Sequence, residues 1–279
     1  MALSLASIRK ETAIRAPRII LLGVEKIGKT TFACGSRIED GRVVETGLNS
    51  PVLIPIRGEE GADSIGAPMF PTCNSVQELL EALGALYSEE HDYRTVVIDS
   101  ASALEPLVWS DVCQRHNAQS IEHVGGGYGK GYTESLSVWQ QIRDGLDALR
   151  NERGMASILI GHAKVKRFDD PTGDSYDQYQ FDIHDKAGNL LSRWADVILF
   201  ANTKVAVKKE DVGFNKKKSR GIDATGGERF LFTQKRPAHP GGGRGAYGLL
   251  PYELPLDWSA FTDAVASATT PQGEGQNDG

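Results

Sequence analysis

Eight residues near the start of the chain constrain its fold more than any other feature. Gly23-Val24-Glu25-Lys26-Ile27-Gly28-Lys29-Thr30 fits G-x-x-x-x-G-K-[ST], follows the apolar run Arg18 to Leu22, and leads into the helix-compatible Thr31-Phe32-Ala33. A strand, a glycine-bounded loop and a helix in that order let successive backbone N–H groups and the helix N-terminus point at phosphate oxygens. In this pattern Lys29 reaches the β and γ phosphates of a nucleotide and Thr30 holds Mg²⁺. The expected nucleotide-binding set is therefore Gly23, Val24, Glu25, Lys26, Ile27, Gly28, Lys29, Thr30 and Thr31, with ATP and Mg²⁺ as the ligands.

A phosphate loop of this kind needs a second carboxylate at the end of a neighbouring buried strand. Asp99 closes Thr95-Val96-Val97-Ile98-Asp99, and we expect it to share the metal with Thr30; its bland alternative is to cap the helix that follows. Four more short apolar runs read as strands: Val52 to Ile56, Ala156 to Gly161, Val197 to Ala201 and Arg229 to Gln234. Between them, Val76, Leu79, Leu80, Leu83 and Leu86 recur at helical spacing, as do Leu136, Trp139, Ile142, Leu146 and Leu149. Both stripes read as core. Strands alternating with helices predict an α/β fold, a mainly parallel sheet flanked by helices, with a β-hairpin-rich C-terminal part.

Three stretches interrupt the pattern, 123–133, 164–188 and 203–227, and are expected to be functional loops or disorder. The expected organisation is an N-terminal arm over 1–16, one domain over 17–262 and a disordered tail over 263–279. Hydrophobic residues at 40% and charged residues at 24% exclude collagen-like and wholly disordered chains. The apolar runs fall short of the roughly 20 residues a bilayer span needs, and no secretory signal is read, so no membrane partner and a cytoplasmic protein are expected. Three dispersed cysteines give neither a disulfide framework nor a zinc site. No Ser-His-Asp order or G-x-S-x-G elbow is visible, which sets nucleophilic hydrolase chemistry aside.

Beyond the phosphate loop, Val97-Ile98-Asp99-Ser100 with Ala103-Leu104, Gly58-Glu59-Glu60-Gly61, Tyr128-Gly129-Lys130-Gly131-Tyr132, Gly161-His162-Ala163-Lys164 and Trp194-Ala195-Asp196 occur in a telling order. Over residues 17–258 the sequence resembles phage-encoded RecA-like P-loop ATPases of the single-strand annealing type. The resemblance implies a glutamate after the second strand that orients the attacking water. Glu59 occupies that place, and Glu60 is its rival. It also implies that His162, where relatives carry glutamine, senses the γ-phosphate and passes the signal to the following Lys164, Lys166 and Arg167. Lys29, Glu59 and His162 are thus the implied catalytic set. Lys235 and Arg236, with Arg244 as a rival, fall where RecA filaments place residues that act in trans on a neighbour's nucleotide.

Glycine-rich backbone interleaved with Tyr128, Lys130 and Tyr132 suits stacking and phosphate contact with single-stranded nucleic acid. The segment 204–220 carries seven cations against Glu210 and Asp211 in a chain of net charge −6. It reads either as a solvated charged hairpin or as the lining of a nucleic-acid groove. Together these features imply an ATP hydrolase, slow and DNA-stimulated, that oligomerises as a ring or filament on single-stranded DNA in phage recombination or replication, in the host cytoplasm. A single-strand-binding protein is a further partner of such a scheme. The alternatives are a helicase-like or DNA-packaging motor or loader, and a small-molecule phosphotransferase.

Overall fold

The computed structural model describes residues 15–59, 61–211, 217–223 and 225–270, with 62, 63, 205–211 and 217–223 described by their backbone alone. The chain opens with β1 (Arg18–Gly23) and α1 (Lys29–Ala33), then a small hairpin of β2 (Arg37–Glu39) and β3 (Arg42–Glu45). It continues through β4 (Pro51–Pro55), α2 (Val76–Ser88), β5 (Thr95–Asp99), α3 (Ala101–Arg115) and α4 (Lys130–Glu152). Next come β6 (Ala156–Phe168), β7 (Tyr176–Phe181), α5 (Asp185–Trp194), β8 (Val197–Thr203), and a hairpin of β9 (Val205–Asp211) and β10 (Lys217–Asp223). Strands β11 (Arg229–Phe232), β12 (Gly242–Gly243) and β13 (Glu253–Pro255) and helix α6 (Trp258–Thr269) complete it.

The main sheet runs β13-β11-β8-β1-β6-β5-β4. Its five strands from β8 to β4 are parallel, while β11 and β13 join antiparallel at one edge. Successive residues of a strand face opposite sides, and β1 serves two cores accordingly. Ile20 and Leu22 pack with α2, α3, α4 and α5, while Ile19 and Leu21 pack with Phe32 of α1 and Trp258 and Phe261 of α6. A strand buried on both faces has to be apolar throughout, which is why Arg18 to Leu22 shows no polar alternation. Helix α2 starts where Ser75 accepts from the Glu78 N–H at 3.2 Å and Glu78 accepts from the Asn74 N–H at 2.7 Å, a reciprocal cap.

Register fixes the site. Gly23 lies opposite His162 on one side and Ala201 on the other, and Pro55 lies opposite Asp99. The carboxyl ends of β1, β4, β5 and β6 therefore share one edge, where ligands of open α/β sheets bind.

Several expectations need correction. Residues 123–133 keep an irregular glycine-rich bend, with non-helical backbone at Val124 and positive φ from Gly125 to Gly129, but the stretch is bounded by a 3₁₀ turn that begins at Ile121 and by α4, which begins at Lys130. Inward-facing Ile121 and Val124 supply the apolar contacts that hold the turn. The stretch 164–188 is largely a β-hairpin, because β6 runs past the sheet and pairs with β7 from Ala163–Phe181 to Phe168–Tyr176. Order does not end at residue 263 either. Trp258, Phe261, Ala264 and Val265 form a helical stripe against Phe32, and α6 runs on to Thr269. The expected tail beyond 270 and the expected arm through residue 14 lie outside the described residues. Among the described residues, no helix is long and apolar enough to cross a membrane.

Candidate nucleotide site

The loop after β1 turns into α1 at Gly28, whose φ of 104° is left-handed and closed to most side chains. Lys29 then folds back under the loop, donating to the carbonyl oxygens of Gly23 at 3.2 Å and Val24 at 2.8 Å. Its ammonium is buried and has no ion pair among the described residues; burial pulls its pKa down, partly offset by the charges of Asp99, Glu59 and Glu25. One residue on, the Thr30 hydroxyl donates to Asp99 Oδ2 at 2.7 Å. Asp99 is itself buried at the end of β5, and desolvation raises its pKa despite that hydrogen bond. The Asp99–Ser100 peptide is cis.

Glu59 stands across the same opening. Its Oε1 accepts from Ser100 Oγ at 2.5 Å and meets His162 Nε2 at 2.7 Å. Burial pushes the Glu59 carboxyl up, but the hydrogen bonds from His162 and Ser100 outweigh it and hold the group below its usual range. The reciprocal effect raises His162, chiefly through its hydrogen bond to Glu59. His162 is fixed by its backbone N–H, which donates to Ser102 Oγ at 3.0 Å, while its ring Nδ1 is buried without a partner. Glu25, Lys26, Gly28, Lys29, Thr30, Thr31, Glu59, Asp99 and His162 line one cleft of about 460 Å³, a volume suited to a small ligand.

The expected nucleotide residues thus converge, with distinctions. Gly23 and Val24 contribute carbonyls to Lys29 rather than lining the cleft, and the Ile27 side chain is buried in the core. The rival Glu60 lies outside the described residues. Sequence reasoning missed Arg229, which donates from Nη1 to the Ile27 carbonyl at 3.1 Å and so braces the loop from β11. Nothing in local sequence marks an arginine 202 positions away as a loop brace. Ser100 and Ser102 were also missed as partners of Glu59 and His162. The capping preference of Ser100, which accepts from the Ala103 N–H at 3.1 Å, was the one available signal.

The donor set suits a magnesium nucleotide. A hydroxyl and a carboxylate at hydrogen-bond distance are hard oxygen ligands, and a desolvated ammonium held only by carbonyls gains most from an anion. Thr30 and Asp99 are the residues that would hold the ion, which would shield phosphate charge there.

The expected DNA-facing residues part company. Tyr128 is 102% exposed at the tip of the glycine-rich bend, and Lys130 folds onto the Gly125 carbonyl at 3.0 Å. Tyr132 is not at the tip: its ring stacks on His184 with centroids 4.1 Å apart and meets Trp109 edge-on at 5.5 Å. These contacts use one face and an edge of the half-buried Tyr132 ring. Lys164, Lys166 and Arg167 lie on the projecting part of β6, facing Asp182 at 3.3 Å, Asp185 at 2.8 Å and Asp169 at 3.6 Å. Lys235 lines a separate cleft beside α5, and the Arg236 guanidinium lies over the Tyr252 ring at 4.4 Å. Neither lines the nucleotide cleft of its own subunit. Arg244 donates to the Arg193 carbonyl. Of the basic segment 204–220, the side chains after Lys204 lie outside the described residues; Lys204 itself pairs with Glu253 at 2.5 Å.

No curated protein matches the sequence. Among solved structures, the RadB recombinase aligns over 81% of this chain and 85% of its own at 13% identity, with a TM-score of 0.39. A family model described as an AAA domain, AAA_24, matches residues 15–245. The sheet order, with β6 inserted between the phosphate-loop strand and the Asp99 strand, is that of a RecA-like P-loop NTPase. A nucleotide-binding NTPase is what such a domain implies, and the chain belongs to the AAA_24 family of AAA domains.

Proposed function

We propose that the protein binds and hydrolyses Mg-ATP and couples the nucleotide state to single-stranded DNA. The single observation that carries the ATPase reading is the Thr30–Asp99 contact at 2.7 Å beside the buried Lys29 ammonium. Lys29 neutralises phosphate oxygens, and Thr30 and Asp99 hold Mg²⁺, which when bound shields the charge that builds on the phosphates. Glu59 orients the attacking water and receives its proton. Glu59 Oε1 takes two hydrogen bonds, from Ser100 and His162, which fix the carboxylate and leave Oε2 to accept from the attacking water. The unpartnered, buried Nδ1 of His162 gives the ring a reason to turn, because a γ-phosphate oxygen satisfies it.

The DNA reading rests on the fully exposed Tyr128 and on the β6–β7 hairpin that continues directly from His162. The acidic partners of Lys164, Lys166 and Arg167 hold them only weakly, since exposed ion pairs are worth about 0–1 kcal/mol, and phosphates can replace them. In this scheme the subunits form a homo-oligomer on single-stranded DNA, with Arg236 reaching a neighbour's nucleotide, in annealing during phage recombination or replication. Phosphate release and fluorescent-nucleotide binding test the reading. Lys29→Ala and Thr30→Ala are expected to lose Mg-dependent nucleotide binding, and single-stranded DNA to speed phosphate release in the parent protein. Unchanged ATP affinity in Lys29→Ala refutes the cradle, while directional unwinding favours a motor.

A further inference from the structure

Helix α5 is flanked by two clefts that share Asn189. One, of about 350 Å³, separates α5 from β7 and carries Lys166 and Lys235. The other, of about 480 Å³, separates α5 from α4 and carries Arg18, Arg143, Lys186 and Arg193. Six cations thus face two carboxylates, Asp185 and Asp147, in a chain whose net charge is −6. Those carboxylates are already engaged. Asp185 pairs with Lys166 at 2.8 Å, and Asp147 Oδ1 accepts from Arg18 at 3.2 Å and from Trp194 Nε1 at 2.9 Å.

The remaining cations are left without a buried or shared acid. Lys186 donates to the Thr133 hydroxyl, at 2.5 Å. Arg143 pairs at 3.1 Å with Asp144, which is 68% exposed, while its buried Nε has no partner. The side chains of Arg193 and Lys235 have no ion pair or hydrogen bond among the described residues, and both are exposed. Lys186 and Arg193 stand seven positions apart on one helix, about 10 Å along its axis. That span covers several phosphates at the roughly 3.4 Å rise of a stacked strand.

We infer that the exposed face of α5, with the clefts on either side, is a phosphate track for single-stranded nucleic acid. The inference rests on the DNA-binding reading above and extends it from the glycine-rich bend and the β6–β7 hairpin onto α5 and its far side. The Lys186–Thr133 contact joins the track to the first turn of α4, next to Lys130 and the exposed Tyr128. A strand whose bases stack at Tyr128 therefore has cations waiting for its next phosphates. Leu190 and Trp194 form part of the floor of the cleft between α4 and α5.

The test is the salt dependence of binding a labelled oligothymidylate, measured by fluorescence anisotropy on the full chain. Three phosphate contacts contribute about −0.7 each to the slope of log affinity against log salt. Lys186→Gln/Arg193→Gln/Lys235→Gln is expected to flatten the slope by about 2, so that a fourfold dilution of salt raises parent affinity roughly 20-fold more than variant affinity. Fluorescent-ATP binding serves as the check that the variant is folded, and single Arg193→Gln, at an unpaired exposed side chain, is expected to give about a third of the change. An unchanged slope in a variant that still binds nucleotide overturns the track and leaves the DNA reading standing. No oligothymidylate binding by the parent overturns both. An unchanged slope with loss of oligomers in light scattering overturns the track in favour of a contact with a second copy.

Discussion

The Glu59–His162 contact offers a quantitative test of the site in the absence of any ligand. The pair meets at 2.7 Å with side chains 21% and 29% exposed, so the contact is screened less than a surface ion pair. Glu59 is held below its ordinary 4.5 and therefore stabilises the fold above that value, an effect lost as pH falls through the folded value. His162 is raised above its ordinary 6.5 and stabilises the fold fully below that value, an effect lost as pH rises through the folded value. Between these two ordinary values both groups are charged and both contributions are present. A hydrogen bond between charged groups contributes about 2 kcal/mol and a neutral-donor bond about 1 kcal/mol. A double-mutant cycle of Glu59→Ala, His162→Ala and the combined variant, followed by urea unfolding, isolates the contact from the burial of each partner. The expected coupling is about 2 kcal/mol at pH 5.5, falling to about 1 kcal/mol at pH 9 once the imidazole is neutral. A coupling of the same size at both pH values refutes the charged pair, and a coupling near zero at pH 5.5 refutes the contact itself.

Tyr128→Ala, at a fully exposed ring, is expected to leave the unfolding midpoint unchanged and to weaken oligothymidylate binding by about 1–3 kcal/mol in anisotropy titrations. Gly161→Ala places a methyl 2.4 Å from the Phe181 ring and 2.7 Å from Leu22 Cδ2, so overpacking of about 1–3 kcal/mol is expected in urea unfolding. Removing the fully buried Trp139 with Trp139→Ala is expected to cost about 3–5 kcal/mol in the same assay. Cys34 is completely buried and its thiol is pushed up to about 12, so alkylation at pH 8 followed by mass spectrometry is expected to spare it in the folded protein.

The parts of this fold that were legible in the sequence are those governed by local periodicity. Thr95–Asp99 appears as a strand at the expected bounds because Val96, Val97 and Ile98 fill consecutive buried positions between Thr95, whose hydroxyl is satisfied by the Asn49 carbonyl, and the carboxylate of Asp99. The phosphate loop was legible for a similar reason, since its conformation requires glycine at fixed places. What periodicity could not show was any contact made across the sheet. The β6–β7 hairpin alternates apolar and charged residues that resemble a solvated loop, and only pairing along its whole length makes them a strand. Tyr132 looked like a base-stacking residue because its sequence neighbours are glycine and lysine, whereas Trp109 and His184, which meet an edge and one face of its ring, arrive from α3 and the start of α5. Arg229 and Ser100 escaped for the same reason: each acts through a partner distant in sequence.

In the proposed scheme, strand β6 connects the nucleotide site to the DNA-facing hairpin. Its first six residues are buried in the centre of the sheet, paired with β1 and β5, and its last six project beyond the sheet edge, paired only with β7. His162 sits at the boundary, with its backbone fastened to Ser102 and its ring to Glu59. Just before it, Gly161 is packed so closely by Phe181 of β7 and Leu22 of β1 that no methyl fits. Interiors this dense transmit displacement rather than absorb it. Under the proposed sensor role, a turn of the His162 ring would act on a junction where β1, β7 and the helix of Ser102 meet. Lys164 and Lys166 follow two and four residues later on the same strand, and Lys166 holds the first residue of α5 through Asp185. In the proposed scheme the nucleotide site and the hairpin are joined by one continuous strand, and the exposed Lys166–Asp185 pair adds only a weak, phosphate-replaceable tie to α5.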